Sequence, residues 1–155
     1  GKTTMNIIKS ELNKLINEKN KFINFKDKDI QEIGSLETVL INSDFDIKSN
    51  VNREALHRLV IKNDYLSSYE PCNYPGVNIK YYYNPLINNN GICNCECPCN
   101  GKGKNNDCKK ITIVVFKSGK IIITGGRSKK HIQIAYEFIT DFIDKNKDNI
   151  LVRNI

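Results

Sequence analysis

Apolar side chains recur with two distinct periods along this chain, and the switch between them marks the elements. In "TTMNIIKSELNKLINEKN" Met5, Ile8, Leu12, Leu15 and Ile16 fall at helical spacing, and Thr3 or Thr4 stands where an N-cap oxygen is wanted. This stretch predicts one amphipathic helix. "SLETVLINSDFDI" then alternates, with Ile41, Phe45 and Ile47 to one side and Asn42, Asp44 and Asp46 to the other, as in a half-buried strand. A short helix is predicted at "NREALHRLVI". "GVNIKYYY", "KKITIVVF" and "KIIITG" predict three more strands, the last two joined by a two-residue turn at Ser118-Gly119, so that the three form an antiparallel meander. From Ser128, a second N-cap residue, Ile132, Ala135, Phe138, Ile139 and Phe142 repeat at helical spacing through about Asn146. That helix is long enough to cover the sheet.

Strand parity then raises a functional question. Placing Ile111, Ile113, Val115, Ile121 and Ile123 under the long helix leaves Thr112, Val114, Phe116, Ile122 and Thr124 on the other face. That second face is also mostly apolar. A sheet with helices on one side only is normally polar on its free side, so this face is either covered by something or binds something.

Composition narrows the class. The 155 residues, 39% hydrophobic and 26% charged, suit one domain with its own core. A formal net charge of +7 favours a polyanionic partner, with nucleic acid ahead of an anionic membrane. No apolar run is long enough to span a bilayer and no secretory leader is seen at the start, so an intracellular protein without membrane contact is expected. The richness in Ile, Asn and Lys, whose codons are AT-rich, points to the base composition of the source genome.

The cysteines bear on cofactors. Cys93, Cys95, Cys97 and Cys99 alternate in "CNCECPC", Cys108 follows, and Cys72 stands apart. Cys-x-Cys does not reproduce the Cys-x-x-Cys knuckle of structural zinc sites and is not expected to aim neighbouring thiols at one centre. The loop "NPLINNNGICNCECPCNGKGKNNDC" is therefore expected to be flexible, reduced and free of cofactors. A soft metal, Zn or Cu(I), held among Cys93, Cys95, Cys97, Cys99 and Cys108 is the second expectation, and disulfides, without a secretory route, the third. Catalytic chemistry is thin. His57 stands alone on the short helix and reads as a surface histidine, while "GGRSKK" lacks phosphate-loop spacing and reads as a strand end followed by a helix cap. No nucleophile, base and orienting acid assemble by spacing, so no enzyme is expected.

Two segments in order, "SSYEPCNYPGVNIKY" and "VVFKSGKIIITGGRSKK", resemble the stirrup and the following hairpin in the second repeat of the TATA-box-binding protein family. The resemblance covers about residues 36 to 146 apart from the cysteine loop, and the insertion and composition are more similar to divergent relatives encoded by large DNA viruses. It implies an α+β fold, a curved antiparallel sheet with helices packed on one face, forming half of a saddle. Residues 1–35 would be the terminal helix of a preceding repeat plus a connector, and residues 36–155 the second repeat with a Cys-rich insertion at 84–109. The implied function is to bind and bend A·T-rich promoter DNA through the minor groove in transcription initiation.

The resemblance also assigns residues. Tyr74 and Phe116 match the aromatic wedges, and Val114, Ile122 and Thr124 match positions pressed onto bases. Lys80, Ser118 and Lys120 match backbone-contacting positions. The family's minor-groove asparagine falls near Leu40, with Asn42 two residues further on the same face. Glu70 keeps one of two stirrup glutamates that recruit transcription factor IIB, and Cys72 replaces the other. The implied partners are double-stranded DNA and a transcription factor IIB-like protein or RNA polymerase machinery, in the host cytoplasm, the nucleus or the virion. A half saddle alone leaves a central sheet edge unpaired, so a homodimer is expected. Asp44 and Asp46 share the face that would meet phosphate, and they motivate the alternative, a protein-interaction scaffold of the same fold without DNA binding.

Overall fold

The computed structural model describes residues 6–8, 10–11, 39–86, 90–95, 99–103 and 107–152. The chain divides into two compact units, Gly1–Thr38 and Val39–Ile155. In the first, residues 6–8 and 10–11 are helical, as the N-terminal periodicity predicts. Met5, Leu12, Leu15 and Ile16 of that predicted helix lie outside the described residues, as do residues 36–38 ahead of the first strand.

The second unit runs β1 (Ile41–Asp46), α1 (Arg53–Lys62), β2 (Leu66–Ser68), β3 (Val77–Tyr83), β4 (Lys109–Val115), β5 (Lys120–Gly126), α2 (Lys129–Lys145) and α3 (Lys147–Ile150). The strands form one open sheet in the order β1-β5-β4-β3-β2, antiparallel at every step. The α+β class expected from the sequence holds.

Local chemistry starts each helix where the pattern places it. Asn52 Oδ1 accepts the Ala55 N–H at 3.1 Å, and Ser128 Oγ accepts the His131 N–H at 3.3 Å. Both caps satisfy donors that a first helical turn leaves open. Below them, Leu56 and Val60 of α1 and Ala135, Ile139, Phe142 and Ile143 of α2 are buried. They pack on Val77, Ile79 and Tyr81 of β3, Ile111, Ile113 and Val115 of β4, and Ile121 and Ile123 of β5. Strand parity is therefore as the alternation predicts. Each of these buried aliphatic side chains contributes about 1.5–3 kcal/mol relative to an exposed one, which sets the sheet face unambiguously.

Three features depart from the sequence reading. β2 is a strand through its register on β3, Leu66 opposite Lys80 and Ser68 opposite Asn78. The β4–β5 connection holds four residues, 116–119, in place of two. Val115 pairs with Ile121, the Phe116 N–H donates to Lys120 O at 2.9 Å, and the Gly119 N–H closes a turn onto Phe116 O at 3.0 Å. Gly119 takes φ +87° with the Ser49 carbonyl directly against its α-carbon, a place for a residue without a Cβ. Finally, α3 follows α2, and the chain after it returns to the start of α1 through a Val51–Leu151 bridge and a Val152 N–H to Asn50 O bond of 2.9 Å.

Candidate nucleic-acid interface

Antiparallel partners point to the same side, so the strand registers assemble the helix-free face row by row. One row reads Ser68, Asn78, Val114, Ile122 and Asp44, and the next reads Leu66, Lys80, Thr112 and Thr124. Asn42 completes the second row, because Thr124 Oγ1 donates to Asn42 Oδ1 at 2.5 Å. That bond occupies the amide oxygen and leaves Asn42 Nδ2 as the donor suited to the acceptors of an A·T minor-groove edge. The centre of the face is apolar and small, with Asp44 on β1 and Lys80 on β3 as charges to either side of it.

The aromatics meet at one end. The Tyr74 and Phe116 ring centroids are 6.0 Å apart at 60°, an edge-on pair, and Tyr74 is 43% exposed. Gly76 explains the Pro-Gly that precedes β3. A Cβ there would overlap Val114 Cγ1 and lie 3.0 Å from Tyr74 Cε1 and 3.3 Å from Phe116 Cε1. Only glycine lets the loop backbone sit against all three side chains, and Val114 is buried there despite lying on the open face. The loop is also held from below: Arg53 donates to the Pro75 carbonyl, and the Tyr74 N–H donates to Glu70 O at 2.9 Å. Glu70 itself accepts from Asn73 Nδ2 at 3.0 Å, which places its carboxylate on the outer turn of the same loop.

The polar candidates divide by position. Lys80 Nζ donates to Thr112 Oγ1 at 3.1 Å from a partly buried place in the sheet, and burial, then Lys110, hold its pKa below the ordinary lysine value. Ser118 lies at the hairpin tip, its Oγ accepting the Lys120 N–H at 3.4 Å. Lys120 Nζ stands 3.6 Å from Asp44 Oδ2, with both groups largely exposed. Asp46 accepts the Lys48 N–H at 2.7 Å, and this bond is the main reason its carboxyl lies below its ordinary pKa. The two aspartates that oppose DNA thus each have a lysine at hand. Leu66 and Asn78 belong to the face and were not singled out from the sequence. The signal that finds them is the β2–β3 register, which a three-residue strand does not advertise. His57 is not solitary: its Nδ1 lies 2.9 Å from Ser67 Oγ of β2.

The cysteine loop overturns the geometric expectation. Sγ atoms of Cys93, Cys95, Cys99 and Cys108 all lie within 4.8 Å of one another. On an extended chain residues two apart share a side, so Cys-x-Cys aims both thiols the same way. Turns at Gly91, Gly101 and Gly103, with φ of +85°, +70° and +67°, bring the rest of the loop back. The described parts are tied to the sheet end by Tyr82 N–H to Gly91 O, 2.9 Å, and Lys110 N–H to Gly101 O, 2.9 Å. Burial pushes the Cys108 and Cys93 thiols up, while hydrogen bonding from Cys108 pulls Cys95 down. Cys97 lies outside the described residues, and Cys72 is exposed in the loop that carries Tyr74.

Residues 41–146, from the first strand to the C-cap of α2, match the family described as transcription factor TFIID, or TATA-binding protein (TBP). The chain belongs to the TBP family. It is 33% identical over 112 residues to a TATA-box-binding protein-like protein of Acanthamoeba polyphaga mimivirus, across 64% of this chain and 24% of that protein. The chain therefore spans about a quarter of that relative's length. The viral relative agrees with the viral character read from composition and insertion. The TBP family is a non-enzymatic family of DNA-binding proteins that act in transcription. Among the described residues no helix is long and apolar enough to cross a membrane.

Proposed function

We propose that this TBP-family chain seats the helix-free face of its sheet on the minor groove of A·T-rich promoter DNA, and that Tyr74 and Phe116 enter a base step and bend the duplex. The observation that carries the reading is the face itself. Val114, Ile122 and Thr124 form a smooth, largely apolar centre, ending in an aromatic pair seated on Gly76. Such a surface suits A·T edges, which present acceptors and no guanine amino group, and an aromatic wedge gains contact that offsets unstacking. Ser118 and Lys120 on the hairpin, and Lys80 within the sheet, would hold phosphates. The loop bearing Glu70 would meet a transcription factor IIB-like protein or RNA polymerase machinery in the infected cell. Asp44 and Asp46 are the one observation favouring a protein-binding scaffold of the same fold, and their neighbouring Lys120 and Lys48 weaken it.

Gel shifts with purified protein on A·T-rich and G·C-rich duplexes, repeated across salt concentrations, separate the two readings. Groove binding requires preference for the A·T duplex and a salt slope that shrinks by about one unit in Lys120→Ala. Equal and negligible binding to both duplexes would leave the scaffold reading standing.

A further inference from the structure

We propose that Cys93, Cys95, Cys99 and Cys108 form a four-thiolate centre for one Zn2+ ion. Four sulfurs about 2.3 Å from a tetrahedral zinc are about 3.8 Å from each other. Here Cys95 and Cys108 are 3.5 Å apart, Cys93 and Cys108 are 3.8 Å apart, and no pair in the set exceeds 4.8 Å. These separations fit a shared cation and exceed the roughly 2.05 Å of a disulfide. Contraction around an ion needs only small side-chain movement.

The surroundings support the same occupant. Cys108, immediately before β4, is 1% exposed and anchored by the Gly103 N–H to its carbonyl at 3.1 Å, while the other three thiols are partly buried on the loop. The centre would therefore join the loop to the sheet at a rigid point. The Cys99 thiol donates to the Cys108 carbonyl at 3.9 Å, which holds the loop side of the cluster against the strand end. Sulfur-only tetrahedral ligation selects Zn2+ or iron among common metals, and a closed site without an open position suits a structural, redox-silent ion. On binding, each thiol loses its proton to solvent as its sulfur bonds the metal, with no change in oxidation state. The ion would pin the insertion against the β3–β4 end, away from Tyr74 and Phe116 at the opposite end of those strands.

The test is metal stoichiometry of the whole chain, purified under reducing conditions, followed by Co2+ titration of the metal-free protein. We expect one zinc per chain and the intense visible absorption of Co2+ in a tetrahedral thiolate field. Cys95→Ser should weaken Co2+ binding by at least about a hundredfold, while Cys72→Ser and Cys97→Ser keep one ion. Cys95 and Cys99 are preferred for substitution because they are less buried than Cys108, and circular dichroism checks that each variant is folded. Absence of bound metal in folded, reduced protein, iron in place of zinc, disulfides at these cysteines, or loss of the ion in Cys97→Ser but not in Cys99→Ser would overturn the proposal.

Discussion

Replacing Phe116 with alanine separates what that ring does for the fold from what it does on DNA. In the free protein the ring is partly exposed and meets Tyr74 edge-on at 6.0 Å, a contact contributing about 0.5–1.5 kcal/mol. That contact adds to the area the ring buries, so the expected loss of folding stability is at least about 1 kcal/mol, a fall in melting temperature of at least about 2–4 °C. On DNA the ring has a larger task. Opening a base step costs a few kcal/mol, and the inserted ring supplies contact that offsets it, so its removal should weaken binding by roughly 2–3 kcal/mol, or about 30- to 150-fold. The bend should decline with it. Fluorescence energy transfer between dyes at the two ends of a short A·T-rich duplex reads the bend at protein concentrations that saturate the site, and a thermal melt reads the fold. An unchanged bend at saturation, or a binding loss no larger than the folding loss, would remove Phe116 from the wedge role.

Two further outcomes follow from local geometry. His131 Nδ1 accepts the Arg127 N–H at 3.1 Å, and burial, aided by Lys109, Lys130 and Arg127, holds its pKa below the ordinary 6.5. The unfolded chain then takes up the proton first, so stability is full above about pH 6.5 and falls as pH drops toward the folded value. Melting temperatures measured across this range should show that decline, and the same slope in His131→Gln would assign it elsewhere. Gly119→Ala should cost roughly 2–3 kcal/mol in denaturant melts, because φ is +87° and the new Cβ would overlap the Ser49 carbonyl and approach Ile47 Cγ1 at 3.0 Å. A melt within 0.5 kcal/mol of the parent, roughly the tolerance of an ordinary surface change, would contradict that steric reading.

Period and parity determined most of the fold by themselves. Ile111, Ile113, Val115, Ile121 and Ile123 alternate because one sheet face lies under a helix, and that burial is strong enough to be written into adjacent residues. The same alternation exposed the apolar character of Val114 and Ile122, and Ser128 marked the start of α2 through its own side chain. What the tertiary structure decided depends on partners distant in sequence. "LSS" became β2 through its pairing with Asn78, Ile79 and Lys80, and the face gained Leu66 and Asn78 through that register. Thr124 and Asn42, 82 positions apart, share a hydrogen bond that no local pattern announces. Gly76 needs to be glycine on account of Val114 and Phe116, which lie some forty residues onward. The thiols teach the same lesson most sharply. Alternation along "CNCECPC" is a local property, but the meeting of Cys93, Cys95 and Cys99 with Cys108 depends on how Gly91, Gly101 and Gly103 fold the loop back onto the strand ends. Burial leaves a trace in every few residues of a chain, whereas loop closure and strand register are settled only when remote segments compete for the same space.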